Sequence, residues 1–165
     1  MSPHDGQQHA AAASAARAGE VAMLIVSAGG QAFALPADGI RSVTRLGQLV
    51  RVPAQPPHVL GLANVRGQIV MVIDLACRLG DDAGNRPEGG YLVTLSRNGQ
   101  TCGIAVEAVG GVAAFGPDDS VSLPAPQRRG RARFFTGWLR GPDGLVEALD
   151  TDALCGFDTP GNPGA

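Results

Sequence analysis

The sequence predicts a mainly-β protein made of two small five-stranded β-barrels that pack together, with a few short helical turns. Almost every segment after residue 20 is a short apolar run bounded by Gly or Pro, and the order of these runs repeats once along the chain. The length of 165 residues fits one compact domain or two lobes that share a core. Because a lobe of roughly 60–70 residues has a marginal core alone, the two are expected to share an apolar interface.

The first half of the chain contains five predicted strands. Residues 21–27 and 31–36 form a hairpin around Ala-Gly-Gly, and residues 39–46 form a third strand. HVLGLANV and IVMVIDL form a second hairpin around Arg66-Gly67-Gln68. One helical turn over residues 75–79 then ends the half.

The second half restarts the same pattern. Residues 91–97 and 100–106 flank Asn98-Gly99, a strong hairpin signal because this pair supplies the positive φ angles of a type I′ turn. Residues 131–139 and 145–150 form the next hairpin, and TDALCG supplies a last helical turn and its stop.

These two halves align as an internal repeat. Residues 29–40 align with 98–109, residues 69–74 with 145–150, and Gly61 with Gly137. The expected organisation is a first barrel over about 21–80 and a second over 91–156, and it stays open whether the chain crosses between them. Residues 1–20 and 157–165 are expected to be tails, the first of them flexible and disordered.

Composition excludes several classes of protein. A net charge of −2 and a pI of about 5.8 weigh against a nucleic-acid binder held by bulk charge. The three cysteines form no CxxC pair, so neither a disulfide framework nor a zinc site is expected, and all three should be small buried hydrophobes. The N-terminus is a poor signal peptide and no apolar run is long enough to span a membrane, so a cytoplasmic protein without membrane insertion is expected.

An enzyme needs a constellation of reactive side chains, and the sequence offers none. His58 is the one His of the predicted fold, and there is no Gly-x-Ser-x-Gly, Walker loop or dinucleotide fingerprint. We therefore expect no catalytic residue, no metal and no cofactor.

Two other features of the sequence are candidates for a binding role. Four Arg lie within Arg128–Arg133, which favours an exposed loop leading to a buried Phe134 or Phe135, while nucleic-acid binding stays open as the alternative. Trp138 has apolar neighbours and is expected in the core.

The turn within residues 59–75 carries the residues of greatest interest. Gly67 is expected at positive φ, Asn64 to hydrogen-bond the backbone of its own turn, and Asp74 to cap the following helix. From the residues alone, Arg66 is a solvated turn residue or a partner contact.

The segment GLANVRGQIVMVIDLACRLG (61–80) resembles the hallmark of CheW-like domains, G-x-x-N-x-R-G-x-x-x-P-x-x-D-L-x-x-x-L-G. AFALPADGIRSV, GIAVEAVGGV, FFTGW and VEALDTDALCG resemble further family segments, so that the resemblance covers roughly residues 21–156. Met71 stands where the hallmark has Pro, and Glu107 where a later segment has Asp.

The resemblance implies two SH3-like barrels without catalytic activity. It implies an adaptor that couples chemoreceptors to a CheA-type histidine kinase in a chemosensory array, through the regulatory domain of the kinase and the cytoplasmic tip of the receptor. The expected location is the cytoplasm, at membrane-associated receptor arrays. The alternative is a divergent coupling module of a twitching-pilus or other non-flagellar pathway.

Partner-binding residues follow from the same resemblance. Arg66 matches an Arg at the kinase and receptor interface of the family, and Asn64, Gly61, Ile40 and Ser42 match its interface segments with lower weight. Ser42 stands where the family often has an acid implicated in binding, which puts the usual partner contacts in question.

Overall fold

A computed structural model describes residues 19–80, 89–122 and 130–156, without the side chains of residues 122 and 130. The described chain consists of short strands with two single-turn α-helices and two 3-10 turns. The strands are β1 (Val21–Ala28), β2 (Gln31–Pro36), β3 (Ile40–Arg45), β4 (Val59–Val65), β5 (Gln68–Asp74), β6 (Tyr91–Arg97), β7 (Gln100–Val106), β8 (Ala108–Phe115), β9 (Ser120–Ser122), β10 (Phe135–Gly141) and β11 (Gly144–Leu149). The α-helices are α1 (Leu75–Arg78) and α2 (Thr151–Cys155), and the 3-10 turns are Pro117–Asp119 and Gly130–Phe134.

The strands form two sheets, which confirms the mainly-β prediction. Sheet A has six strands in the order β8-β1-β2-β11-β10-β9, and sheet B has five in the order β3-β6-β7-β5-β4. The pairs β2–β11 and β5–β7 are parallel, and the other pairs are antiparallel. Among the described residues no strand pairing closes either sheet into a barrel. In the segment between β3 and β4, an isolated bridge pairs Val50 with Leu62 of β4.

Each sheet takes strands from both halves of the chain. The hairpin β1–β2 joins β8 to β11 of the second half, while the hairpin β6–β7 joins β3 to β5 of the first half. The two halves have therefore exchanged their first hairpins. We call sheet A with its turns lobe A, and sheet B with its turns lobe B.

The two sheets repeat one plan in detail. The parallel pair Val72↔Gly103 of sheet B corresponds to Ala148↔Ala34 of sheet A, as the sequence alignment of the halves requires. Gly61 and Gly137 have φ angles of 144° and 154°, and each lies at a register shift of its strand. The repeat seen weakly in the sequence is thus a real correspondence of position and backbone shape.

The main apolar core joins the two sheets. Leu24, Phe33 and Leu35 of sheet A pack in the same cluster as Val93 and Ile104 of sheet B. Alternate residues of the same strands point to the opposite side, where two smaller clusters fill the lobes. These clusters are Met23, Ala34, Phe115, Leu139 and Ala148 in lobe A, and Ala63, Val72, Leu92 and Ala105 in lobe B.

Hairpin exchange makes each half of the chain incomplete. We expect polypeptides 21–80 and 91–156 to be unfolded when separate, because each leaves one strand face without its partner. An equimolar mixture should regain β structure by circular dichroism. Cooperative thermal unfolding of either half alone would contradict the shared core.

Arg78 at the end of α1 ties lobe B to α2. Its Nε donates to the carbonyl of Leu154 (3.1 Å) and its Nη2 to that of Ala153 (3.2 Å), while its Nη1 lies 3.2 Å from His58 Nε2. The guanidinium also stacks 4.9 Å from the ring centroid of Phe134. One side chain therefore holds α2, which follows β11, and His58, which directly precedes β4, in a fixed relation.

His58 gives this contact a pH dependence. Burial and the neighbouring Arg78 and Arg133 lower the pKa of His58 below 6.5, because the site disfavours the charged ring. Its contribution to stability is therefore complete above the unfolded pKa and falls as the pH drops through that value. Between about pH 7.5 and 5.5, we expect the free energy of unfolding to fall more for the wild type than for His58→Gln. If denaturant melts show the same change in unfolding free energy with pH for both proteins, this role of His58 is excluded.

The predictions for the Asn98-Gly99 turn and for the cap of the first helix can be compared with the structure. Asn98 and Gly99 have φ angles of 53° and 80°, which confirms the predicted type I′ turn. Asp74 is the N-cap residue of α1, as predicted, although its side chain makes no capping hydrogen bond. The corresponding Asp150 caps α2 by accepting from the Ala153 N–H at 3.2 Å.

The predictions for the arginine-rich segment and the cysteines also meet the structure. Phe134, which ends the 3-10 turn, and Phe135, which follows it, are both buried, whereas Arg128 and Arg129 lie outside the described residues. Cys102 is buried, but Cys77 and Cys155 are only partly so.

Candidate protein-binding surface

Arg66 lies at the tip of the β4–β5 hairpin. Arg66 and Gly67 have φ angles of 52° and 84°, the two positive values of a type I′ turn. The Gly67 N–H donates to Asn64 Oδ1 at 2.8 Å, so Asn64 stabilises its own turn and Gly67 has the backbone shape expected of it. Arg66 is exposed, and within the described part of the chain it has no hydrogen-bond or ion-pair partner.

The conformation of Arg66 is unfavourable for an arginine. A residue with a Cβ pays roughly 1–2 kcal/mol in the left-handed region, less for Asn and least for Gly. The turns of the β1–β2 and β6–β7 hairpins, which also have two positive φ values, use Gly29-Gly30 and Asn98-Gly99. Strained backbone often clusters at functional sites, so this conformation makes Arg66 a candidate for a contact outside the fold.

Replacing Arg66 by Asn tests this strain. Arg66→Asn copies the Asn98-Gly99 turn of the same chain and should raise the free energy of unfolding by up to about 1 kcal/mol. Urea denaturation of the two proteins measures the difference. A clear loss of stability would mean that the Arg66 side chain supports the fold.

An apolar strip lies beside this turn on the outer face of sheet B. Leu62 pairs with Met71 across β4–β5 and is bridged on its other side by Val50, while Ile69 lies opposite Asn64. Val50, Ile69 and Met71 are 69%, 61% and 46% exposed. We call Val50, Leu62, Ile69 and Met71 the lobe B strip. A contiguous exposed apolar surface of this kind typically marks a protein interface.

The sequence contained a signal for this strip. In QIVMVID both alternate sets of side chains are apolar: Val70 and Val72 are buried, so Ile69 and Met71 must face outward. A strand that packs against one core needs only one apolar face, so the second apolar face of β5 favours a protein-binding surface.

The other predicted partner-binding residues lie elsewhere. Ile40 and Ser42 are on β3, the edge strand of sheet B opposite β4, so the structure does not bring them to the Arg66 turn. Ile40 packs partly against the main core, and the Ser42 hydroxyl is buried with no hydrogen-bond partner among the described residues.

Gly61 has a packing role in the structure. It is buried, and a Cβ at this position would collide with the carbonyl oxygen of Val50. The close approach of these two backbones forms the Val50–Leu62 bridge. Gly61 thus shapes the surface beneath the lobe B strip and offers no side chain to a partner.

Lobe A has a matching but different outer face. Trp138 takes the place of Leu62, with Val121 and Glu147 on its two sides, and Leu145 takes the place of Ile69. Trp138 is 36% exposed, so its predicted place in the core is wrong: it points outward between two buried neighbours in β10. Arg131 lies 3.9 Å from the Glu147 carboxylate, which gives this face a charged pair where lobe B has Met71.

Neither a membrane span nor a metal centre is found in the described residues. No helix there is long and apolar enough to cross a membrane. No group of three or more His, Cys, Asp or Glu side chains within residues 19–80, 89–122 and 130–156 could hold a metal ion.

Comparison with known proteins agrees with this architecture. The family model of the CheW-like domain matches residues 22–156. The probable chemotaxis protein CheW of Rhizobium etli is 24% identical over 66% of this chain and 69% of its own length. The chemotaxis protein CheW of Klebsiella aerogenes is 25% identical over 76% of this chain and 74% of its own.

A solved structure has the same fold. The scaffolding protein TtCheW from Thermoanaerobacter tengcongensis superposes with a TM-score of 0.72 at 22% identity, covering 86% of this chain and 95% of that one. With two repeated β-sheets, an exposed hairpin tip and the family match over almost the whole described chain, the class is defined. The chain belongs to the CheW-like domain family and is a non-enzymatic, CheW-like protein of chemotaxis signalling.

Proposed function

We propose that this chain couples a CheA-type histidine kinase to chemoreceptors, and that lobe B contacts the regulatory domain of the kinase through Arg66 and the lobe B strip. The observation that carries the proposal is an exposed Arg in an unfavourable backbone conformation, without a hydrogen-bond or ion-pair partner among the described residues, beside an exposed apolar surface. The coupling is non-covalent, and its place is the cytoplasmic side of a membrane-associated receptor array.

The chemistry of this surface suits a protein partner. Arg carries a rigid fork of donors that fits a carboxylate or backbone carbonyls, and it is enriched at the energetic centres of interfaces. The lobe B strip supplies apolar area that loses contact with water on binding. Asn64 contributes by fixing the turn that aims Arg66, through its bond to the Gly67 N–H.

The remaining predicted residues belong to a second proposed contact. Ile40 and Ser42 lie at the far edge of sheet B, where a receptor tip could bind without displacing a kinase at β4–β5. Each of these two contacts is expected to be weak alone, and an array strengthens the assembly because many contacts are made at once.

The non-flagellar alternative rests on Ser42. Its hydroxyl is uncharged and buried, so it cannot form the ion pair that an exposed acid would offer to a partner. A partner adapted to this chain would therefore lack the complementary cation. Binding to components of a twitching-pilus system in preference to flagellar ones would favour this alternative.

Co-sedimentation with the kinase and receptor fragments from the same organism tests the proposal. Arg66→Glu should weaken kinase binding by roughly tenfold or more. The change replaces the hydrogen-bond donors of Arg66 with a negative charge, which has the same sign as the carboxylate expected on the kinase. Arg140→Glu is the matched control, since Arg140 is an exposed Arg near the tip of the corresponding hairpin in lobe A.

Each outcome of this experiment is decisive. Loss of binding in Arg66→Glu with normal binding in Arg140→Glu supports the proposed surface. Equal losses would indicate an effect of net charge, and normal binding by both variants would exclude Arg66 from the interface. A folded wild type that binds neither partner would overturn the coupling role itself.

A further inference from the structure

Lobe A contains a cavity of about 520 Å³ that none of the proposed contacts uses. It opens between the start of β1, the end of β8 and strand β10, on the side of the sheet that faces the small core of lobe A. Met23, Phe115 and Leu139 of that core form part of its wall, and Trp138 lies at its rim.

The matching positions in lobe B carry larger apolar side chains. Val121 faces Trp138 as Val50 faces Leu62, so Ser120 corresponds to Leu49; Gly137 matches Gly61, so Thr136 corresponds to Leu60. Leu49 and Leu60 both pack against the small core of lobe B. Lobe A has two hydroxyl side chains where lobe B has two leucines, and the cavity lies where the leucine side chains would be.

The lining indicates what the cavity can hold. None of the described residues that line it is charged, and most are apolar. The hydroxyls of Ser120 and Thr136 are the polar side-chain groups among them, apart from the indole N–H of Trp138. Small-molecule sites typically measure about 300–1,000 Å³ and combine an apolar lining with a few polar groups that orient the ligand.

We propose that this cavity, walled by Met23, Phe115 and Leu139 and edged by Trp138, Ser120 and Thr136, binds a small uncharged aromatic or apolar molecule. An anion or a cation would lose its hydration with no opposite charge to replace it. The site lies in lobe A, away from the Arg66 turn and the lobe B strip, so it stands or falls independently of the coupling role.

Trp138 allows a direct test, because it is the single Trp of the chain. The full-length protein is titrated with N-phenyl-1-naphthylamine, an uncharged aromatic probe whose emission rises in apolar surroundings and which accepts excitation energy from Trp. We expect saturable binding of one probe per chain, with quenching of Trp138. The anionic probe 1-anilinonaphthalene-8-sulfonate should bind at least tenfold more weakly.

Filling the cavity gives the specific control. Ser120→Leu and Thr136→Leu each copy the lobe B residue and should weaken binding of the uncharged probe at least tenfold. Ser120 is exposed, so its replacement need not disturb the fold, which circular dichroism verifies for both variants. In the control variant Val121→Leu, the neighbouring side chain, which lies on the opposite face of β9, is enlarged. This variant should bind the uncharged probe like the wild type.

Three results would overturn the proposal. One is the absence of saturable probe binding by the wild type. Another is unchanged binding in folded Ser120→Leu and Thr136→Leu. The third is equal affinity for the neutral and the anionic probe, which would indicate adsorption to an exposed apolar surface.

Discussion

The fold depends on the apolar layer between the two sheets. Leu24 and Val26 of β1 pack in this layer with Ile104 of β7, and all three are fully buried. Burial of each such side chain is worth about 1.5–3 kcal/mol, and neither lobe has enough of them alone. Because the halves have exchanged their first hairpins, this layer also joins segments that are far apart in the sequence, and the whole chain must fold as one unit.

This arrangement determines which surfaces remain available. The inner faces of both sheets are used by the shared core, and the small cores of the lobes use the opposite side of β1, β2, β6 and β7. Among the described residues, four of the eight exposed large apolar side chains lie on the β4–β5 hairpin and its counterpart β10–β11, namely Ile69, Met71, Trp138 and Leu145. The repeat gives the protein two similar surfaces, and substitutions have made them different: Met71 against Glu147, and Leu62 against Trp138.

Sequence reasoning succeeded where structure is local. The turns at Gly29-Gly30, Arg66-Gly67 and Asn98-Gly99 follow from the positive φ that such pairs tolerate, and the flanking strands follow from the turns. The exchange of hairpins could not be predicted, because the two halves offer chemically equivalent partners for each strand, and the choice depends on long-range packing.

The candidate site shows the same division. The position of Arg66 at a turn and the bond made by Asn64 were readable from the local sequence. The grouping of Ile40 and Ser42 with Arg66 was not, since strand order places them at opposite edges of sheet B. Trp138 was misjudged because its apolar neighbours Gly137 and Leu139 are the buried ones, and alternation then requires Trp138 to face outward.

The most direct test of the account is hydrogen exchange of the chain with and without the regulatory domain of its kinase. The account predicts slower exchange in peptides that cover Val59–Asp74, with the corresponding hairpin Phe135–Leu149 unchanged. Unchanged exchange over Val59–Asp74 in a complex that has formed, with protection at another surface, would contradict the assignment of Arg66 and the lobe B strip to the kinase interface.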